Sequence, residues 1–306
     1  MLARRNRATS ALGMAAAASL ALALSACGSD SLDSGGGQSS APADPTTEVS
    51  ADSALASKVP ADIKAKGTLT IGTDASYAPN EFTGADGKSI EGMDVDLLKA
   101  VAAKLGLKVN FQAAGFDSLI LGVKSGKYDA SISSFTINDE RKKEVTMVSY
   151  FNAGTQWAVK KGNPDKVSAD NACGLSIGVQ KGTTQIDDLT NRSKQCTAAG
   201  KPAIKQVVEQ DQSKVTADLV SGKVVAMAAD SPVGLYAVQQ TGGQLEPLGS
   251  IYDSAPYGVV VPKAQTAFGQ ALADGFTAIK KDAVYETILK KWGNETGAID
   301  TFEVNP

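Results

Sequence analysis

From about Gly67 onward the chain alternates short β-branched runs with amphipathic stretches at helical spacing, and this alternation narrows the possible folds more than any other feature. Parallel strands need a crossover between them, and a helix returning on a right-handed path is the usual one. Thr68-Leu69-Thr70-Ile71-Gly72 predicts a strand ending in glycine. Asp94 to Leu105 predicts a helix, with Leu97, Leu98, Val101 and Leu105 on one stripe and Gly106 as the stop. Lys108-Val109-Asn110-Phe111 returns as a strand, a helix runs from Asp117 to a stop at Gly126, and Ala130 to Ser133 gives the next strand. A second set begins after Lys160-Lys161-Gly162-Asn163-Pro164. Strands are expected at Ser176 to Val179, Ala203 to Val208 and Val224 to Ala229, with a helix after the Gly-Thr-Thr turn and another from Ser213 to Ser221. Tyr257 to Val261 then gives a strand before helices at 264–280 and 282–292. Two parallel α/β units in about 240 residues predict two lobes with a cleft between them. In such sheets ligands sit beyond the carboxyl ends of the strands, so residues just after strands are the candidates.

The N-terminus sets the expected compartment. Arg4, Arg5 and Arg7 form a positive region, Ala11 to Leu24 a short apolar one, and Leu24-Ser25-Ala26-Cys27 closes the segment. The apolar stretch is short for a transmembrane helix, which needs about 20 residues. Its end resembles the lipobox of bacterial lipoproteins, in which the cysteine is diacylated and becomes the new N-terminus; an ordinary signal peptide with an incidental cysteine is the alternative. Residues 1–26 are thus expected to be a signal peptide, and residues 27–65 the lipidated Cys27 and a flexible tether. Gly28 to Pro60 has no aromatic residue and is rich in Ser, Gly, Ala, Asp and Pro, too little apolar surface to order itself. With Cys27 lipidated, Cys173 and Cys196 remain as a pair in an oxidising compartment, either bonded or as two buried thiols.

Composition removes several function classes. Without residues 1–26 the formal charge goes from −3 to 27 − 33 = −6, which gives no electrostatic reason to expect nucleic acid. Histidine is absent, so the commonest general base and the commonest metal ligand are both missing, which leans away from hydrolase chemistry and leaves carboxylate or lysine catalysis open. No metal, no cofactor and no catalytic residue is expected.

Several post-strand segments resemble the family 3 extracellular solute-binding proteins, the polar amino-acid receptors of ABC importers. The stretches that carry this are Gly72-Thr73-Asp74-Ala75-Ser76-Tyr77-Ala78-Pro79, Glu91-Gly92-Met93-Asp94-Val95-Asp96, and Ser125-Gly126-Lys127-Tyr128-Asp129-Ala130. They continue with Ser133-Ser134-Phe135-Thr136-Ile137-Asn138-Asp139-Glu140-Arg141, then Gly182-Thr183-Thr184-Gln185, Ala229-Asp230-Ser231-Pro232, and Tyr285 to Gly293. All seven occur in order over residues 66–293. The resemblance implies a two-lobe, type II periplasmic-binding-protein-like α/β fold with two crossovers and a ligand cleft at the interface. Lobe 1 is expected at about 66–155 and 253–306, and lobe 2 at about 156–252. The implied function is capture of a polar amino acid, basic ones included, by hinge closure. The implied partners are an ABC permease and ATPase complex and, through a lipid anchor, the outer face of the cell membrane; a monomer is expected.

By the same resemblance, Arg141 grips the ligand α-carboxylate, since its planar fork matches that group and lysine does not. A surface arginine pairing Glu140 or Glu144 is the plainer role. Ser134 and Thr136 would add donors to the same carboxylate, and Ser133 counts among the ligand-binding residues, Ser133-Ser134 being similar to the basic amino-acid receptors. Asp230 would meet the α-ammonium from the other lobe, or else serve only as a helix N-cap. Tyr77 and Phe116 would sandwich the ligand side chain, or belong to the core. Thr183, Thr184 and Gln185 would cap the carboxylate from lobe 2, where helix N-terminal N–H groups favour an anion. Asp74 would meet the distal end of the ligand, or merely form a turn. Asn138 and Asn80 depart from the family, which usually has threonine and an aromatic residue or proline there. A cyclohexadienyl-dehydratase-like enzyme on the same scaffold and a solute-sensing surface receptor are the competing functions. The anchor is tested by Cys27→Ala, which is expected to release the protein from membranes or leave an uncleaved precursor. A mature-size variant still in the membrane fraction would contradict the lipoprotein reading.

Overall fold

The computed structural model describes residues 49–306. The signal segment, Cys27 and the expected tether before residue 49 lie outside them. Helices α1 (Ser53–Lys58) and α2 (Ala61–Lys66) lead into strand β1 (Thr68–Thr73). A small antiparallel sheet follows, made of β2 (Ser76–Tyr77), β3 (Glu81–Thr83) and β4 (Ile90–Glu91). Next come α3 (Met93–Lys104), β5 (Lys108–Ala113), α4 (Phe116–Lys124), β6 (Ala130–Thr136) and α5 (Asp139–Glu144). Strand β7 (Val145–Lys160) leads to β8 (Ser176–Gln180), α6 (Thr184–Ala198), β9 (Lys205–Glu209) and α7 (Gln212–Ser221). After β10 (Ala226–Asp230) and α8 (Ser231–Gln240) come β11 (Leu245–Pro262), α9 (Thr266–Lys281) and α10 (Val284–Lys291).

Eight strands form one sheet in the order β5-β1-β6-β11-β7-β10-β8-β9. Strand β1 runs parallel to β5 and β6, and β8 runs parallel to β9 and β10. These are the two α/β units expected from the alternation. Between them lies an antiparallel pair, β7 and β11, which extends from Pro262↔Val145 at one end to Leu245↔Lys160 at the other. Its lower half joins β6 and its upper half joins β10, so both strands pass from one lobe into the other. Register shifts interrupt β11 between Leu248 and Tyr252, Tyr252 and Ala255, and Tyr257 and Gly258. Shifts of this kind bend a strand and increase its twist. Gly154 faces the middle of the interrupted stretch, where a Cβ would lie 2.6 Å from the Tyr252 carbonyl oxygen.

Each lobe has its own core. In lobe 1, Leu69, Ile71 and Ile132 of the sheet pack with Leu97, Val101, Phe276 and Tyr285 of the covering helices. In lobe 2, Trp157, Val159, Ile177, Val179 and Ala228 pack with Leu189 of α6.

The expected tether to residue 65 is too long at its C-terminal end. Asp52 caps α1, its carboxylate accepting from the backbone N–H groups of Ala54 and Leu55 at 2.8 and 3.1 Å. Val59 and Ile63 are buried in the lobe 1 core, and Leu55 packs against it. The apolar residues are few but fall on the docked face, which the average composition of the segment conceals. A hydrogen bond from Asp52 N–H to the Lys104 carbonyl (2.9 Å) and an ion pair of Lys58 with Asp274 (2.7 Å) fix the helices to lobe 1.

Cys173 and Cys196 are disulfide-bonded, with Cα atoms 5.6 Å apart. The bond ties the loop before β8 to the end of α6. Closing a loop of this size stabilises the fold by about 3 kcal/mol through the unfolded chain. Replacing both cysteines by serine is therefore expected to lower the denaturant midpoint by the equivalent of that amount. An unchanged midpoint would contradict a stabilising role.

Candidate functional site

The carboxyl ends of β6, β8 and β10 and the starts of α4 and α6 meet between the lobes. There Tyr77, Phe116, Ser134, Thr136 and Arg141 of lobe 1 face Gln180, Thr183, Thr184, Gln185 and Asp230 of lobe 2 around one cavity. The lobes touch across it and leave a space of only about 10 Å³. A larger cavity of about 440 Å³ lies elsewhere along the interface, lined by Pro79, Phe151, Tyr236, Trp292 and Asn294 among others, and no charged side chain faces it. The smaller cavity is therefore the one with the chemistry to hold a charged solute.

Arg141 is held on three sides. Asn138 caps α5, its Oδ1 accepting from the Arg141 backbone N–H at 2.9 Å. The guanidinium donates through Nη1 to the Thr136 carbonyl (2.8 Å) and through Nη2 to the Gly182 carbonyl (3.2 Å), which belongs to the other lobe. Its carbon sits 5.4 Å from the Phe116 ring centre and 5.6 Å from that of Phe135, over two rings that stack at 4.8 Å. Attraction of the cation to those faces adds to the hydrogen bonds. Arg141 keeps part of its surface in solvent, yet the protein around it is dense enough that desolvation pushes its pKa down, opposed by the charges of Asp230 and Asp187. A guanidinium stays protonated under such a shift. It makes no pair with Glu140 or Glu144; Glu140 pairs with Lys143 and Glu144 with Lys124.

Asp230 ends β10 and is buried. Although it occupies the N-cap position of α8, its side chain makes no cap hydrogen bond. Instead Gln185 Nε2 donates to its Oδ1 at 2.8 Å and to Thr155 Oγ1 at 3.0 Å. Burial raises the Asp230 pKa, while hydrogen bonding and the positive charge of Arg141 act against the rise. The Asp230 backbone N–H donates to the Tyr77 hydroxyl at 3.2 Å, another contact between the lobes.

Two residues expected to face a ligand, Asp74 and Ser133, lie behind the cavity. Asp74 Oδ1 accepts from the Ser76 N–H and hydroxyl (3.0 and 2.6 Å), and Oδ2 accepts from the Phe116 N–H and Gln180 Nε2 (both 2.9 Å). Protein donors thus occupy both carboxylate oxygens. Ser133 Oγ accepts from the Asp74 N–H and donates to Glu81 Oε1, at 2.9 and 3.0 Å. Gln180, which the sequence reading passed over, takes the place in the cavity wall. Its signal was its position at the end of a strand, just before Gly182-Thr183-Thr184.

The family model for bacterial extracellular solute-binding proteins, family 3, matches residues 69–295. The chain belongs to that family. This solute-binding protein is 33% identical to an arginine-binding protein of Corynebacterium glutamicum, over 86% of this chain and 84% of that one. It is 29% identical to the L-cystine-binding protein of Escherichia coli, over 79% and 87%. Among solved structures, an ancestral arginine-binding protein bound to arginine aligns with a TM-score of 0.69 at 36% identity, covering 74% of this chain and 98% of that one. An ancestral amino-acid-binding protein described as a precursor of cyclohexadienyl dehydratase aligns with a TM-score of 0.66 at 32% identity, covering 76% and 97%.

The two departures of this solute-binding protein from its family have physical explanations. Asn80 is buried; its Nδ2 donates to Ser134 Oγ at 2.9 Å and its Oδ1 accepts from Asn294 at 3.2 Å. Asn138 does the capping work that a threonine also performs. Asn138→Ala is expected to destabilise α5 by about 1 kcal/mol and to loosen Arg141, whereas Asn138→Thr retains the cap. Equal melting temperatures for the two variants would contradict this.

Proposed function

We propose that the protein binds a free polar amino acid between its lobes and hands it to an ABC permease and ATPase complex. The observation that carries this reading is the placement of Arg141 and Asp230 on opposite lobes around one cavity. An amino-acid zwitterion presents a carboxylate to the first and an ammonium to the second, so it favours the arrangement in which both are near. Differential affinity of that kind drives closure. The Thr136 hydroxyl and the start of α6 at Thr183 and Thr184 add donors for the carboxylate, while both donors of Ser134 point behind the cavity. Tyr77 and Phe116 supply apolar faces for the ligand side chain, and Asp74 acts on its distal end through Gln180. Arginine is the first amino acid to test, because arginine-binding proteins are among the relatives both in sequence and in structure. The space of about 10 Å³ requires the lobes to part before an amino acid enters.

A binding role rather than catalysis is supported by the relatives, which are named for what they bind. Export and lipid anchoring at Cys27 complete the proposal, and they fit a family described as extracellular. The test is a thermal-shift screen of the folded region against amino acids, followed by calorimetric titration. A ligand at 100 times its dissociation constant is expected to add about 2.7 kcal/mol of stability. Arg141→Ala is expected to cost about 3–5 kcal/mol of binding, on the order of 10²–10³ or more in affinity. Arg141→Lys restores charge without the fork and recovers part of the loss. Affinity within about threefold of wild type for Arg141→Ala would overturn the site, since exposed pairs contribute only about 0–1 kcal/mol. Product formed from arogenate or prephenate would favour the enzyme instead.

A further inference from the structure

Behind the cavity, two carboxyl groups sit together without any exposed surface: Glu81 on β3 and Asp94 in the first turn of α3. Their protein donors can be counted. Ser133 Oγ donates to Glu81 Oε1 at 3.0 Å, and Ser134 Oγ lies between the two acids, 3.2 Å from Glu81 Oε2 and 3.4 Å from Asp94 Oδ2. The Ser134 backbone N–H and the Tyr150 hydroxyl both donate to Asp94 Oδ2, at 2.9 and 2.6 Å. Asp94 Oδ1 is buried and receives no donor. The other titratable groups facing the pair are Asp74, Tyr77 and Tyr150, from β1's end, β2 and β7, and none is a cation. Among the described residues no lysine or arginine forms an ion pair with Glu81 or Asp94.

Two adjacent buried carboxylates without a counter-cation are unfavourable, and such pairs keep a proton. A proton on the pair also relieves the charge on a carboxylate whose Oδ1 has no protein donor. We propose that Glu81 and Asp94 hold one proton between them and act as positioning residues for the Ser133–Thr136 turn of the amino-acid site, an inference that rests on the function proposed above. The turn needs such support. Ser134 has φ +54°, a left-handed conformation that residues other than glycine seldom adopt, and its N–H is tied to Asp94. The next residues, Phe135 and Thr136, provide the ring beneath Arg141 and the carbonyl that holds its Nη1. The acid pair thus reaches Arg141 through one turn of chain.

Burial, with the Asp94 charge next, drives the Glu81 pKa well above the ordinary carboxyl range. Asp94 is raised by burial to about 6, while hydrogen bonds from Tyr150, Ser134 and Glu81 hold it down. The proton therefore belongs to the pair rather than to either carboxyl. For raised carboxyl pKa values, the stabilisation is full below the unfolded value and is lost as pH rises through the folded one.

Infrared spectroscopy of the wild type at neutral pH is expected to show the carbonyl band of a buried protonated carboxyl, absent from Glu81→Gln. The melting temperature of Glu81→Gln minus that of wild type is expected to increase from about pH 4.5 to about pH 8. With L-arginine as probe, the wild-type affinity is expected to fall with rising pH over the upper part of that range, and Glu81→Gln to flatten the slope. Glu81→Ala, which provides no donor, is expected to bind about tenfold more weakly than Glu81→Gln. Absence of the infrared band in wild type, or a melting difference constant with pH, would overturn the shared proton whether or not the variants fold well. A slope unaltered in Glu81→Gln would overturn the positioning role. If the wild type bound no amino acid, the proposed function would fail and the positioning role with it, whereas a band lost in Glu81→Gln would still assign the proton.

Discussion

The pairing of β7 with β11 is the constraint on which the rest of the structure depends. These strands are the antiparallel centre of an otherwise parallel sheet, and each contributes to both lobes. Hydrogen bonds along them keep the lobes in one sheet, while the register shifts of β11 around Tyr252 concentrate bending in a short stretch. Gly154 permits the close approach opposite that stretch, because any side chain there would strike the Tyr252 carbonyl. A two-strand connection of this kind resists shear and twist more than it resists opening. The continuous sheet thereby fixes the register in which the cleft residues of the two lobes face each other.

That register matters because the cleft chemistry is divided between the lobes. The Arg141 guanidinium rests on Phe116 and Phe135, and Asp230 is oriented by Gln185. The guanidinium is held mainly from lobe 1, with one hydrogen bond to the Gly182 carbonyl of lobe 2, and the Asp230 carboxylate is oriented by Gln185 within lobe 2. The groups that orient them are neutral: the Asn138 and Gln185 side chains, the Thr136 carbonyl and, through Gln185, the Thr155 hydroxyl. Neutral hydrogen bonds fix direction without cancelling charge, which leaves the full field of the guanidinium and the carboxylate directed at the cavity.

Much of this was legible in the sequence where a local pattern sufficed. Helical and strand periods located β1, α3, β8 and α7 to within a residue or two, and nine of the expected ligand-facing residues line one cavity. Other features depended on partners distant in the chain. Strand β7 is buried along nearly all its length and lacks the alternation that marks a half-exposed strand. Helices α1 and α2 dock through Leu55, Val59 and Ile63, too few residues to alter the composition of a long polar segment. Asp74 was expected in the ligand contact because its type and place fit, but Gln180, 106 residues later, claims its oxygen. Asn138 looked like a departure by name and proved equivalent by hydrogen-bonding capacity.

The bond between Gln180 and Asp74 has a further consequence. It joins the lobes through protein atoms alone, as do the contacts of Arg141 with Gly182, Tyr77 with Asp230, and Asp117 with Lys181 and Gln210. Shutting the cleft therefore carries a free energy of its own, independent of what is inside. An apparent dissociation constant for anything held there combines intrinsic recognition with this built-in bias. Gln180, Arg141, Tyr77 and Asp230 also line the cavity, so of these contacts those of Asp117 with Lys181 and Gln210 are the ones that alter the bias without altering the wall. Under the function proposed above, a partner that pries at those outer contacts would shorten the residence time without competing for the cargo.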